Sequence, residues 1–68
     1  GIEADVSIHI IVSPQGEVVD AYVERTSGQK ELDRLALIAI RNWVFVSLPE
    51  DIAQENQWGI IIFKFRLQ

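Results

Sequence analysis

The 68-residue chain has one histidine, His9, four serines and no cysteine, so few side chains are available for covalent or metal chemistry. A serine nucleophile needs a base within hydrogen-bond reach. His9 sits between Ile8 and Ile10 in an alternating run, and no spacing pairs it with Ser7, Ser13, Ser27 or Ser47. It reads as an outward-facing strand residue. Glu50 and Asp51 resemble an acid–base pair only on paper, because they stand in a charged, solvated stretch with no apolar pocket around them. Without cysteine there is no disulfide framework, thiolate site or redox pair, and a single histidine excludes most metal centres. Gly1, Gly16, Gly28 and Gly59 are scattered and make no phosphate cradle. The expectation is a protein that is not an enzyme, with no catalytic residue, no metal and no cofactor.

The chemistry left is that of main-chain hydrogen bonding. From Trp58 to Leu67, Ile61, Phe63, Phe65 and Leu67 alternate against Ile60, Ile62, Lys64 and Arg66, the pattern of a strand. If the aromatic set faces a core, Ile60 and Ile62 face away from it, and charge arrives only with Lys64 and Arg66 near the strand's end. An apolar strand with an unpaired edge is a site for an added peptide strand or for a second copy of the chain.

The elements that position this strand are legible from periodicity. Ala4 to Val12 alternates Val6, Ile8, Ile10 and Val12 with Asp5, Ser7, His9 and Ile11, which predicts a half-buried strand. Ser13-Pro14-Gln15-Gly16 predicts a tight turn with Gly16 at positive φ. A second strand follows from Glu17 to Arg25, with Val19, Ala21 and Val23 on one face and Val18, Asp20, Tyr22 and Glu24 on the other. Leu32, Leu35, Ala36, Ala39, Ile40 and Trp43 then recur at helical spacing, flanked by Leu37 and Ile38 and opposed by Lys30, Arg34 and Arg41. Ser27 or Gly28 is the expected cap, with Glu31 and Asp33 at the positive end of the helix dipole. Val44 to Leu48 is short and apolar, and Pro49 to Gln57 reads as an acidic connection. The expected fold is α+β in two layers, a three-stranded antiparallel sheet packed on one helix in the order strand-strand-helix-strand. A right-handed crossover places the third strand beside the first, giving the spatial order two, one, three.

Composition narrows the partners. Six basic against ten acidic residues give a net charge of −4, the wrong sign for a phosphate-tracking surface, so nucleic acid is excluded. Hydrophobic residues at 49% exclude disorder, while the longest aliphatic run, Leu35 to Ile40, is too short to span a bilayer. A chain this short shares one core. Residues 1–68 are therefore expected to be a single domain, and an initial Gly1 suggests that it is cut from a longer polypeptide.

Several residues in order resemble the C-terminal domain of the TonB family of periplasmic energy transducers. They are Gly16 in the turn, Val18 and Val23, Arg25-Thr26-Ser27-Gly28, Leu32-Asp33, Ala36 and Ala39, Arg41, Trp43-Val44-Phe45, and the closing Phe65-Arg66-Leu67. The resemblance covers nearly the whole chain. It implies the same two-layer fold, and a periplasmic domain whose missing N-terminal region anchors it in the inner membrane and joins it to a proton-driven complex. The implied partner is an outer-membrane TonB-dependent receptor, whose plug peptide is gripped by strand addition to drive uptake of iron chelates or cobalamin. Main-chain groups of Trp58, Gly59, Ile60, Ile61, Ile62, Phe63, Lys64 and Arg66 would hold that peptide, with Ile60, Ile62 and Lys64 setting preference. Arg25 matches the family's turn arginine, for which a corner salt bridge to Glu24, Glu31 or Asp33 competes with receptor contact. Leu32, Asp33, Trp43 and Phe45 are assigned to structure, the two aromatics to the core. The sequence departs from the family after Phe45, where Val46-Ser47-Leu48-Pro49 and an acidic stretch stand in place of a basic residue, a proline and a short glycine link. A TolA-like envelope-integrity domain is the neighbouring alternative, and a homodimer formed by strand exchange at the free edge is the structural one.

Overall fold

A computed structural model describes residues 2–67 of the chain, with side chains for residues 3–66. Strand β1 (Ile2–Val12) turns into β2 (Val18–Arg25), helix α1 (Lys30–Arg41) follows, and β3 (Gln57–Leu67) closes the chain. The sheet order is β2-β1-β3 and both pairings are antiparallel. This is the α+β arrangement the periodicity predicts. Each outer strand begins or ends within a residue or two of its expected limits.

The hairpin is set by Gly16. Its N–H donates to the Ser13 carbonyl at 2.9 Å, the Ser13 N–H donates to Glu17 O at 2.8 Å, and Gly16 has φ +93°. A turn with Pro14 in its second position followed by a left-handed glycine is the usual three-residue hairpin loop. The strand after it departs from strict alternation. Ile11 lies opposite Asp20 but Val12 opposite Val18, and Ser7 opposite Arg25 but Ile8 opposite Val23, so Val19 and Glu24 are extra residues on β2. The bulge at Val19 exchanges two expected positions: Val18 packs against the core, and Val19 is 54% exposed.

Helix α1 begins without the expected cap. Gln29 occupies the N-cap position and makes no side-chain capping bond. Instead Asp33, in the first turn, reaches back to accept bonds from the Ser27 N–H at 2.9 Å, the Ser27 hydroxyl at 2.7 Å and the Thr26 hydroxyl. The Ser27 hydroxyl, then the Thr26 hydroxyl and the Ser27 N–H, hold the Asp33 carboxyl below its ordinary value, with desolvation opposing. The helix ends where Asn42 Nδ2 donates to the Ile38 carbonyl at 2.9 Å and the Asn42 and Trp43 N–H groups donate to Ala39 and Ile40.

The core lies between α1 and the β1–β2 part of the sheet. Val6, Ile8, Ile10, Ala21, Ala36 and Ile40 form it, with Leu37, Phe45, Ile61, Phe63 and Phe65 packed around. Relative to the expected stripe, the helix is rolled toward Leu37. Leu35 is 53% exposed and Ala39 is also exposed, while Ala36 and Ile40 are buried. Trp43 lies beyond the helix and is 41% exposed, so it belongs to the margin of the core and not to its interior. The helix packs on β2 and, less extensively, on β1. The segment after it backs β3: the Trp43 ring lies 5.5 Å from Phe63 and 6.1 Å from Phe45.

That segment is tied to the hairpin. Phe45 N–H donates to Gly16 O at 2.7 Å, Leu48 N–H to Pro14 O at 2.8 Å, and Glu17 bridges Val44. The molecule is long, 47 × 18 × 15 Å, with a radius of gyration of 13.7 Å against about 11 Å for a compact chain of this length. The cause is the sheet. β1 and β3 pair along their whole length, whereas β2 covers only Ser7 to Val12, leaving a two-stranded ribbon at the other end.

Candidate functional site

The two outer strands differ as edges. β2 carries two bulges in eight residues, and Asp20 Oδ1 accepts a bond from the adjacent Ala21 N–H at 2.9 Å. Bulges and inserted charge are the ordinary means of spoiling an edge for further pairing. β3 has neither. Its register to β1 runs without a shift from Gln57 opposite Val12 to Leu67 opposite Ile2. Among the described residues it is the one regular edge. In an antiparallel ladder alternate residues of an edge strand direct their N–H and C=O groups outward, so β3 offers a row of unsatisfied donors and acceptors.

Side chains divide the edge into two faces. Ile61, Phe63 and Phe65 stand opposite Ile8, Val6 and Ala4 on the helix side, half-buried. Trp58, Ile60, Ile62, Lys64 and Arg66 stand on the open side, opposite Ile11, His9, Ser7, Asp5 and Glu3. Trp58 is 71% exposed, Ile62 57% and Ile60 45%. The only ion pair among the described residues is between Arg66 Nε and Glu3 Oε1 at 3.6 Å, both well exposed, and a surface pair of this kind contributes little. Gly59 is the third residue of β3, and a Cβ added there would meet nothing within 4 Å, so the helix-side face has a gap at that point.

Arg25 is not brought to this edge. It ends β2 opposite Ser7, which in turn lies opposite Ile62, so β1 separates Arg25 from β3. Nor does it form the expected corner salt bridge: it has no ion pair among the described residues, and Asp33 is occupied by Ser27 and Thr26. The other eight expected residues, Trp58, Gly59, Ile60, Ile61, Ile62, Phe63, Lys64 and Arg66, lie consecutively or nearly so along the single strand β3.

One feature of the open face escapes a residue-by-residue reading of the sequence. His9 stacks on Tyr22 with ring centroids 4.7 Å apart, and on Trp58 at 5.5 Å, with interplanar angles of 15° and 4°. Its Nδ1 is buried and has no hydrogen-bond partner. The three aromatics lie on three strands, so only the sheet order reveals them as neighbours. The described residues contain no cluster able to hold a metal.

Residues 1–67 match the family model described as Gram-negative bacterial TonB protein C-terminal. The chain is similar to Protein tonB2 of Pseudomonas aeruginosa, 28% identical over 67 residues, which are 98% of this chain and 25% of that protein. It thus spans about a quarter of the length of the curated relative it matches. No solved structure matches it.

Proposed function

The chain belongs to the family of Gram-negative bacterial TonB C-terminal domains, transport-associated interaction domains and not enzymes, and from this we propose that it grips partner proteins by adding an extended peptide to the β3 edge. The observation that carries the proposal is the contrast between edges: β3 runs for eleven residues in unbroken register while β2 is bulged twice. Main-chain bonds from residues 57 to 67 give affinity that tolerates sequence variation. Trp58, Ile60, Ile62 and Lys64 on the open face give preference. In this proposal the domain works in the periplasm, the peptide comes from the plug of an outer-membrane receptor, and the cargo is an iron chelate or cobalamin. A region beyond residues 1–68 anchors the protein in the inner membrane and couples it to a proton-driven complex.

The test is amide hydrogen exchange by NMR with and without peptides of receptor plug motifs. Alternate amides of β3 exchange fast in the free domain and become protected on addition, because only the outward N–H groups gain a partner. Protection gained on β2, or a concentration-dependent dimer whose β3 amides are already protected, would overturn the assignment. The second result would turn the edge into a self-association surface.

A further inference from the structure

The proposal that follows rests on strand addition at β3 and concerns which side chain the added strand carries. Tyr22, His9 and Trp58 form a column across the open face, one ring per strand, with centroid separations of 4.7 and 5.5 Å. Neighbouring strands lie about 4.8 Å apart, so the column advances by one strand per ring. Tyr22 is directly opposite His9, whereas Trp58 is opposite Ile11 and reaches back diagonally to His9. The inner face of Trp58 is covered by His9. Its outer face, at the free edge, has no ring on it, and the residue is the most exposed aromatic on the sheet at 71%.

We propose that the partner strand carries a planar side chain, an aromatic ring or an arginine guanidinium, that stacks on the outer face of Trp58 and continues the column by one strand. A strand added to β3 stands at the same spacing beyond Trp58 as β1 stands within it, so its residue opposite Trp58, or the diagonal one, falls at stacking distance. A flat group is selected because the indole stands nearly parallel to the imidazole and is well exposed at the edge. An arginine is favoured additionally by the net charge of −4 and by tryptophan's strength as a cation acceptor. The same face then places aliphatic residues of the partner over Ile60 and Ile62, at two and four positions along.

The test is a set of extended peptides in which one position is walked along the strand as Phe, Arg or Leu, titrated by NMR with the Trp58 indole N–H as reporter. In one register Phe or Arg binds about 2–5-fold more tightly than Leu and shifts the indole signal, and in Trp58→Leu the Phe and Arg peptides bind no more tightly than the Leu peptide. Phe winning alone assigns the position to an aromatic residue, and Arg winning alone to a cation. Equal affinity of all three in every register, with β3 amides still protected, would overturn the stacking proposal and leave strand addition standing. If no peptide protects β3, strand addition fails and stacking falls with it.

Discussion

Gly16→Ala combines two separate penalties that the structure allows to be told apart. Gly16 has φ +93°, and a Cβ on it would stand 1.9 Å from the carbonyl oxygen of Phe45 and 2.8 Å from its carbonyl carbon. Both partners are backbone, so no side-chain rotation relieves the overlap. Holding an L-residue in the left-handed region costs about 1–2 kcal/mol. Separating the segments breaks the 2.7 Å bond from Phe45 N–H to Gly16 O, about 1 kcal/mol net, and loosens Phe45 from the core for a further 1–2 kcal/mol or so. The expected total is about 3–5 kcal/mol. A chain of this length is stable by roughly 3–10 kcal/mol, so about a third or more of that stability is lost. Gly28 supplies the control, since its φ is +87° but nothing lies within 4 Å of an added Cβ. Gly28→Ala therefore carries the conformational penalty alone, about 1–2 kcal/mol. Urea unfolding of the two variants, followed by far-UV circular dichroism and by tryptophan fluorescence from Trp43 beside Phe45, measures the difference. Equal midpoints would refute the idea that the turn and the post-helix segment are locked together, and with it the account of how β3 is backed.

Three further outcomes follow from single residues. The carboxyl of Asp33 is held below its ordinary value by the bonds from Ser27 and Thr26, so its contribution to stability is present above the unfolded-state value near pH 4 and is lost as pH falls through the lowered folded-state value. The gap in stability between wild type and Asp33→Ala, measured by denaturation across acid pH, should close toward low pH; a gap that widens there reverses the sign. Gly59→Ala should raise stability by about 0.4–1 kcal/mol in urea unfolding, because the added methyl meets nothing and the unfolded chain loses freedom, and a loss above 1 kcal/mol would mean that the gap over β3 is closed. Trp43→Ala should cost about 2 kcal/mol, below the 3–5 kcal/mol typical of a buried tryptophan, since the ring is 41% exposed. A loss above 4 kcal/mol would place Trp43 in the interior after all.

Local periodicity carried most of the fold. Ala4, Val6, Ile8 and Ile10 on one parity, the Pro14–Gly16 turn and the β3 alternation each fix a face or a reversal without help from distant residues, and the crossover rule then sets the strand order. What was not legible depended on residues far apart in the chain. The β2 bulges that turn Val18 inward and Val19 outward arise from register against β1, and no signal in Glu17 to Arg25 announces them. The roll of α1 toward Leu37 is decided by where the helix sits over β2 and β1, so Leu35 and Ala39, apolar and correctly spaced, end exposed. Asp33 was legible as serving the helix start, but its partners Thr26 and Ser27 act as donors to it and not as caps of their own. The edge itself was legible as an alternating apolar strand, whereas the stack of Tyr22, His9 and Trp58 needs all three strands in place.

If β3 adds strands as proposed, the edge contrast accounts for how a small domain can keep such a strand and remain specific. A sheet with two equal free edges can add a partner on either side or polymerise through both. Here the bulges at Val19 and Glu24 and the Asp20 bond to Ala21 N–H spoil β2, so a second copy that pairs through β3 meets no matching edge beyond it and growth stops at two chains. On β3, Lys64 and Arg66 place charge at one end only, and Arg66 is drawn toward Glu3. The stretch from Trp58 to Ile62 is left as the unguarded part. Removing the guard on the other side should change the assembly: deleting Val19 restores strict alternation to that part of β2, and the variant is expected to form larger oligomers at rising concentration where the wild type stops at a monomer or dimer. Sedimentation velocity across a concentration series reads this directly. A deletion variant that folds, as judged by circular dichroism, and stays at the wild-type mass would show that the bulge at Val19 is incidental to the edge and that β2 is protected by something else.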